Sequence, residues 1–442
     1  MIRRIHIWRY KSLYDIELSL ERLNLILGPN AAGKSNLFDA LRLLSQIVTA
    51  EDLTKAFANH RGDPIEAFTF GEKGIEGLLE EERLWLRMEV DVELEPEIIR
   101  SVEEQIRALR SGLSENKKNP SSSKRVTERY LRYHCEIEMI PQTGVLRVTN
   151  EGLLALKEDK KGNLRPDKRR KPFLERVGNR LRLRMEGQAR PIEYEVGLTH
   201  TLASRPFYPP HYPHLTAFRE EVSRWRFYYF EPRLMREECA LKEVEDLPST
   251  GADLAAVYYT LLHKNPKQFE NLIKSLSSII PTIENVDIEK TREGKLQLKI
   301  IERNIAYSAK VISEGTLRVL ALSAILYISP ATLVGIEEPE NGVHPRRLQL
   351  IANLIQNATD WRQIILNSHS PLLADYLSAS DSTQRMNLIH CLKQDGYTIF
   401  KTFQASTKEP LLQRIEARDS VEEENYEWPS LTQRILQGEF DD

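Results

Sequence analysis

"LGPNAAGKS", residues 27–35, begins with the last residue of the apolar run Leu23–Leu27 and ends where an amphipathic segment starts. Gly28, Gly33, Lys34 and Ser35 complete the spacing of a phosphate loop: glycine, four residues, glycine, lysine, hydroxyl. The glycines let the backbone turn its N–H groups toward an anion, and a helix that follows adds its positive N-terminal end. From average composition, roughly one random chain in fifty of this length carries the pattern somewhere. Its placement between an apolar strand and a helix makes chance a poorer account. Asn30, Ala31, Ala32, Gly33, Lys34, Ser35 and Asn36 are therefore expected to bind a nucleoside triphosphate. Lys34 would neutralise the β- and γ-phosphates, and Ser35 would offer its hydroxyl to Mg²⁺.

Outward from the loop, "RRIHIWRYKS", "DIELSL" and "LNLILG" read as three closely spaced strands. Downstream, Leu37, Ala40, Leu41, Leu44 and Val48 fall at helical spacing. "WLRMEVDVEL" alternates as a strand, and "EPEIIRSVEEQIRALRSG" reads as one charged helix before the linker "SENKKNPSSSK". Further alternating segments follow between Tyr130 and Tyr194, with the basic run "KRRKPFLERVGNRLRLR" among them. "GADLAAVYYTLLHKNPKQFENLIKSLSSIIPTI" is strongly helical, and "VDIEKTREGKLQLKII" reads as a hairpin turning near Gly294. A last α/β stretch runs from Ser313 to Phe403, ahead of an acidic tail. The expected division is 1–85 (first ATPase part), 86–205 (insertion with β character), 206–305 (helical lobe and hairpin), 306–405 (second ATPase part) and 406–442 (tail).

At 442 residues, with 41% apolar and 29% charged residues, the chain is globular and too long for one ordinary core. A formal net charge of −3 does not announce a nucleic-acid binder, though a local basic face stays open. Cys135, Cys239 and Cys391 form no CxxC pair and read as reduced thiols. The first residues lack the apolar core of a signal peptide. Pro330 breaks the longest apolar run, "LRVLALSAILYISPATLVGI", into a helix and a strand, which is too short for a membrane span. A soluble cytoplasmic protein is expected.

"TLVGIEEPE" is an apolar strand ending in Glu337 and Glu338. A strand that delivers carboxylates beside a phosphate loop meets the need for metal positioning and water activation. Glu337 would hold Mg²⁺ and Glu338 would polarise the attacking water, unless the pair is a solvated strand end. "VISEGTLRVLAL" places Ser313, Glu314, Gly315 and Thr316 at a helix start. This resembles the signature motif of ABC-type ATPases, in the form found in RecF, SMC and OLD-like proteins. The resemblance implies an α/β fold: an ABC-type P-loop ATPase head, a mixed β-sheet with flanking helices, plus a helical lobe and a β-containing insertion. It also implies that the signature of one subunit covers the γ-phosphate held by the other. Ser313 as a plain helix cap is the alternative.

By the same resemblance His369, after "QIILNS", senses the γ-phosphate and joins Glu338 and Lys34 in catalysis. "ENGVHP" resembles the loop that crosses the dimer interface, with Asn341 and His344 reaching the partner; a simple turn at Asn341-Gly342 is the alternative. Lys11 and Ser12 match a basic-small pair that approaches the nucleotide in RecF and SMC heads, although a surface lysine explains Lys11 equally well. No glutamine is assigned to the Q-loop. The resemblance covers about 1–50 and 205–380.

The distance from Ser35 to Ser313 exceeds that in transporter subunits and falls short of SMC proteins with their long arms. The residues after His369 contain no Asp-x-Asp, so a Toprim nuclease domain is not expected. The expectation is an ATP- and Mg²⁺-dependent ATPase that dimerises head-to-tail around ATP. It would act as a switch in DNA maintenance or anti-phage defence, controlling a separate effector, a nuclease in the first reading. Double-stranded DNA is a candidate ligand, with Lys168, Arg169, Arg170, Lys171, Arg176, Arg180, Arg182 and Arg184 as a candidate phosphate track; a solvated face is the alternative. The second reading is a slow-turnover, ATP-bound scaffold that restrains a toxic partner without touching DNA. No membrane partner is expected.

Overall fold

The computed structural model describes residues 1–58, 60–111, 125–378 and 386–404. The linker at 114–124 and the acidic tail lie outside them. The chain divides into two compact units. Among the described residues, the first holds Met1–Leu20, those of Ala31–Trp225, and Leu392–Phe400; the second holds Glu21–Asn30, those of Arg226–Cys391, and 401–404.

In the first unit, alternation of apolar and polar residues makes half-buried antiparallel strands. These are β1 (Ile2–Tyr10), β2 (Leu13–Ser19), β4 (Leu84–Glu93), β5 (Tyr130–Ile140), β6 (Val145–Glu158), β7 (Leu164–Pro166), β8 (Leu174–Val177), β9 (Arg180–Leu183) and β10 (Ile192–Glu195). They form one nine-stranded sheet in the order β10-β9-β8-β6-β5-β4-β1-β2, with β7 paired to β6. The helices are α1 (Lys34–Thr49), α2 (Leu53–Ala58), α3 (Gly74–Glu80), α4 (Pro96–Ser111) and α5 (Pro213–Ser223).

Helix α1 buries Leu37, Leu41, Leu44 and Val48, the periodic face seen in the sequence. It is tied down by Ser45 Oγ donating to the Val222 carbonyl (3.0 Å) and Thr201 Oγ1 donating to the Ile47 carbonyl (2.7 Å). The same segment is clipped to β6 by the fully buried Glu151, whose carboxylate accepts from the N–H groups of Leu202 (2.7 Å) and Ala203 (2.9 Å) and from Tyr133 Oη (3.0 Å). Burial pushes the Glu151 carboxyl up to about 7.

The second unit holds most of a six-stranded sheet whose central strands are near-continuous apolar runs, as a sheet covered on both faces requires. β3 (Leu23–Leu27), β11 (Trp225–Tyr228), β16 (Leu333–Glu337), β17 (Gln363–Ser368), β18 (Met386–Gln394) and β19 (Tyr397–Gln404) are ordered β11-β16-β17-β3-β18-β19, with Trp225 of β11 and the stretch Leu392–Phe400 of β18 and β19 counted in the first unit. β16 runs parallel to β17, β17 to β3, and β3 to β18. A smaller sheet holds β12 (Cys239–Ala240), β13 (Asn285–Lys290), β14 (Lys295–Glu302) and β15 (Ile305–Ser308). Its hairpin closes where expected, with Thr291 N donating to the Lys295 carbonyl and Gly294 at φ 75°.

The helices are α6 (Pro232–Met235), α7 (Leu254–Lys264), α8 (Pro266–Ile279), α9 (Glu314–Ile328), α10 (Pro345–Ala358) and α11 (Pro371–Ser378). The core joins Leu25, Ile336 and Leu366 of the sheet to Leu320, Leu272, Tyr258 and Ile355 of the helices. Among the described residues, no helix is long and apolar enough to cross a membrane. Cys135, Cys239 and Cys391 are buried and are not disulfide-bonded.

Candidate functional site

Parallel register brings the ends of three strands together. Leu27 of β3 pairs with Ser368 of β17, and Glu337 of β16 pairs with Asn367 of β17. The residues that follow each strand, Gly28, Glu338 and His369, therefore leave the same carboxyl edge of the sheet, where parallel α/β sheets place their ligands. Gly28 is pressed onto β18: a Cβ there would lie 2.2 Å from the Cys391 carbonyl oxygen, so the loop leaves β3 by a path only glycine allows. The division between the two units falls just beyond, after Asn30, so Gly28 belongs to the second unit and Lys34 to the first.

Glu337 is buried at the strand end (5% exposed). Glu338 turns out of the strand at φ 48°, a left-handed conformation that costs a non-glycine residue of order 1 kcal/mol. Its N–H donates to the Asn367 carbonyl at 2.7 Å, which holds that turn. One carboxylate oxygen lies 3.5 Å from His369 Nδ1, and the other accepts from the Asn341 side-chain amide. Both side chains keep access to solvent (29% and 46% exposed). A carboxylate facing an imidazole at an open strand edge is suited to take a proton from water.

Behind this pair stands Glu340, which sequence reasoning did not single out. Buried, it accepts from Ser368 Oγ at 2.5 Å and from the His369 N–H at 3.3 Å, and so locks the backbone that carries the histidine. The sign was present in "EEPE": a third carboxylate beside two others needs a partner when buried.

Ser313 caps α9, its Oγ accepting from the Thr316 N–H (3.2 Å). Ser313 and Glu314 remain exposed, while Gly315 and Thr316 are buried. Gly315 meets the loop that follows Glu338: a Cβ on it would sit 1.9 Å from the Gly342 carbonyl oxygen. Asn341 is thus held to Glu338 within its own chain, and His344 caps α10 by accepting from the Arg346 N–H (3.3 Å).

In the first unit, Ala31 (φ 65°) and Gly33 (φ 105°) take left-handed conformations on either side of Ala32. Such a turn gathers successive N–H groups into an anion-binding concavity ahead of α1. Lys34 is buried (6% exposed), Ser35 half-buried, and the Asn36 N–H donates back to the Gly33 carbonyl (3.0 Å). The loop's own groups fit a phosphate ligand: N–H groups with a lysine suit phosphate, and the Ser35 hydroxyl suits Mg²⁺. Lys11 stands elsewhere than a free cation would, its ammonium bound to Asp39 of α1 (2.9 Å) and to the Arg61 carbonyl (3.0 Å). Ser12, its neighbour, is the residue that reaches the loop, accepting from the Asn36 side-chain amide at 2.7 Å.

Half of the basic run is paired with acids of its own chain. Arg170 pairs with Glu128 and Glu186, Arg180 and Arg182 with Glu193, and Arg184 with Glu175. Arg176 donates to the carbonyls of Gly178 and Thr149.

Fold and motifs define an ABC-type ATPase of the RecF- and SMC-like kind. The family model described as "AAA domain, putative AbiEii toxin, Type IV TA system" matches residues 23–130 and 190–375, more than half the chain, and the protein belongs to that family. The segment between the matched parts carries most of β5 and all of β6 to β9. No curated protein matches the sequence.

Among solved structures, an SMC head bound to the C-winged-helix domain of ScpA aligns with a TM-score of 0.53 at 10% identity, covering 93% of this chain and 99% of that one. This likeness is one of fold. The SMC head domain from Thermotoga maritima aligns at 11% identity over 91% of this chain and 98% of that one, with a TM-score of 0.39. The Pyrococcus furiosus Smc head with an extended coiled coil, bound to the C-terminal domain of ScpA, aligns at 10% identity over 94% and 99%, with a TM-score of 0.47.

Proposed function

We propose that this protein binds and hydrolyses ATP and uses the cycle to open and close a head-to-tail homodimer. Lys34 and the amides of residues 30–36 hold the triphosphate, and Lys11 joins them once released from Asp39. Ser35 and Glu337 hold Mg²⁺, which when bound draws charge from the phosphates. Glu338 takes the proton of the attacking water and His369 orients that carboxylate. Ser313, Glu314, Gly315 and Thr316 cover the partner subunit's γ-phosphate with a hydroxyl, an amide and a helix N-terminus. Asn341 and His344 lie in the loop toward that partner. ATP bound by both subunits stabilises the closed state because its γ-phosphate is contacted there from both sides.

The observation that carries this reading is the 3.5 Å approach of Glu338 to His369 at the strand edge from which the phosphate loop departs. Glu338→Gln is expected to leave ATP binding intact, slow turnover at least about 100-fold and accumulate a dimer with ATP. Lys34→Ala is expected to abolish nucleotide binding. Wild-type turnover in the first variant, or unchanged affinity in the second, would overturn the assignment.

The closed dimer controls a separate effector, with a nuclease acting on DNA as the first reading. A second reading, an ATP-bound scaffold restraining a toxic partner, is favoured by two observations. The arginines from Arg170 to Arg184 are engaged by acids and carbonyls of their own chain, and the matching family description names a toxin–antitoxin system. Titration with plain duplex DNA at low salt, with and without ATP, separates the two: absence of binding supports the scaffold.

A further inference from the structure

We propose that Thr398 is a positioning residue for the phosphate loop, its hydroxyl fixing the Ala32 carbonyl so that the amide of Gly33 faces the bound phosphate. The proposal rests on the loop being the ATP site. Thr398 lies on β19, near the far end of the chain from the loop, and is 1% exposed.

Its Oγ1 donates to the Ala32 carbonyl at 2.8 Å and lies 2.6 Å from Ser12 Oγ. Its N–H donates to the Ser12 carbonyl at 2.9 Å. Ser12 Oγ in turn accepts from Asn36 Nδ2 at 2.7 Å. Each hydroxyl has one proton, which settles the direction of the whole series. The Asn36 amide donates to Ser12, Ser12 donates to Thr398, and Thr398 donates to the Ala32 carbonyl.

A trans peptide is planar, with its C=O and N–H pointing opposite ways. Holding the Ala32 oxygen against Thr398 therefore turns the Gly33 N–H to the other side of the loop. The same contact explains the glycine: a Cβ on Gly33 would stand 1.9 Å from Thr398 Oγ1 and 2.8 Å from Ser12 Oγ. A hydroxyl placed there excludes any side chain at position 33 and replaces it with a hydrogen bond. Left alone, the loop would spend affinity on ordering itself when phosphate arrives; tethered by Thr398 it is ordered beforehand.

The test uses the full chain with Thr398→Val, which keeps the shape and removes the hydroxyl, and Thr398→Ser, which keeps the hydroxyl. ADP affinity is measured by calorimetry, and melting temperature with and without ADP. The expected result is an ADP affinity about tenfold weaker in the valine variant, the size of one hydrogen bond. Its nucleotide-free melting temperature should fall by no more than a few degrees, the shift produced by ADP should shrink, and the serine variant should recover most of the affinity. Wild-type affinity in the valine variant overturns the proposal while leaving the ATP site standing. So does a valine variant that melts early without ADP and whose lost affinity serine does not restore. Failure of the wild-type protein itself to bind ADP overturns both.

Discussion

Replacing Gly315 with alanine sets two effects of opposite sign against each other. Gly315 lies in the first turn of α9, where alanine is the better helix former by about 1 kcal/mol. Propensity alone therefore predicts a more stable protein. The added Cβ, however, would stand 1.9 Å from the Gly342 oxygen, 2.7 Å from the Gly342 carbonyl carbon and 3.3 Å from the Val343 nitrogen. All three are backbone atoms, so no side chain can swing aside. To restore even 3.0 Å, the helix start and the loop must part by about 1 Å.

Overpacking of this kind costs about 1–3 kcal/mol, which exceeds the propensity gain. The loop that must move runs from Glu338 through Asn341, which binds the Glu338 carboxylate. The expected outcome is a melting temperature a few degrees lower and turnover reduced well beyond the loss of stability. Gly342→Ala is the control. Its Cβ would make only ordinary contacts, 3.4 Å or more from Gly315, so its cost is the strain of φ 70°, about 1–2 kcal/mol. Thermal melts and steady-state ATPase assays on both variants decide the matter. A Gly315→Ala protein as stable and active as wild type would refute the argument from the backbone clash.

Glu340→Ala leaves Ser368 Oγ and the His369 N–H without their shared acceptor, and kcat is expected to fall about tenfold with KM little changed. Glu340→Gln, which keeps an acceptor oxygen, should restore most of the rate in the same ATPase assay. Glu151 makes a prediction about pH. Its folded pKa of about 7 lies above its ordinary 4.5, so the native state holds the proton more tightly and stability falls as pH rises through that window. Melting temperatures of wild type and Glu151→Gln measured between about pH 5 and pH 8 should differ in slope, the variant's being the flatter. Equal slopes would remove Glu151 as the source.

The phosphate loop, the helix after it and the apolar strands before Glu337 and Asn367 were all legible in the sequence. Each is settled within a dozen or so residues, by backbone geometry, spacing of apolar side chains and the freedom of glycine. The same holds for the hairpin at Gly294 and for the broken apolar run at Pro330. Nothing local could reveal that Glu340 would lock His369, that Lys11 would be occupied by Asp39, or that the arginines of β9 would face Glu193 on β10. Nor could it show that Thr398, separated from Ser12 by 386 positions, would hold the loop. Such contacts depend on which strands become neighbours and in what register, and a shift of one residue would send every side chain to the opposite face. The chemistry was written in short words along the chain; pairing between distant strands chose which of those words stand side by side.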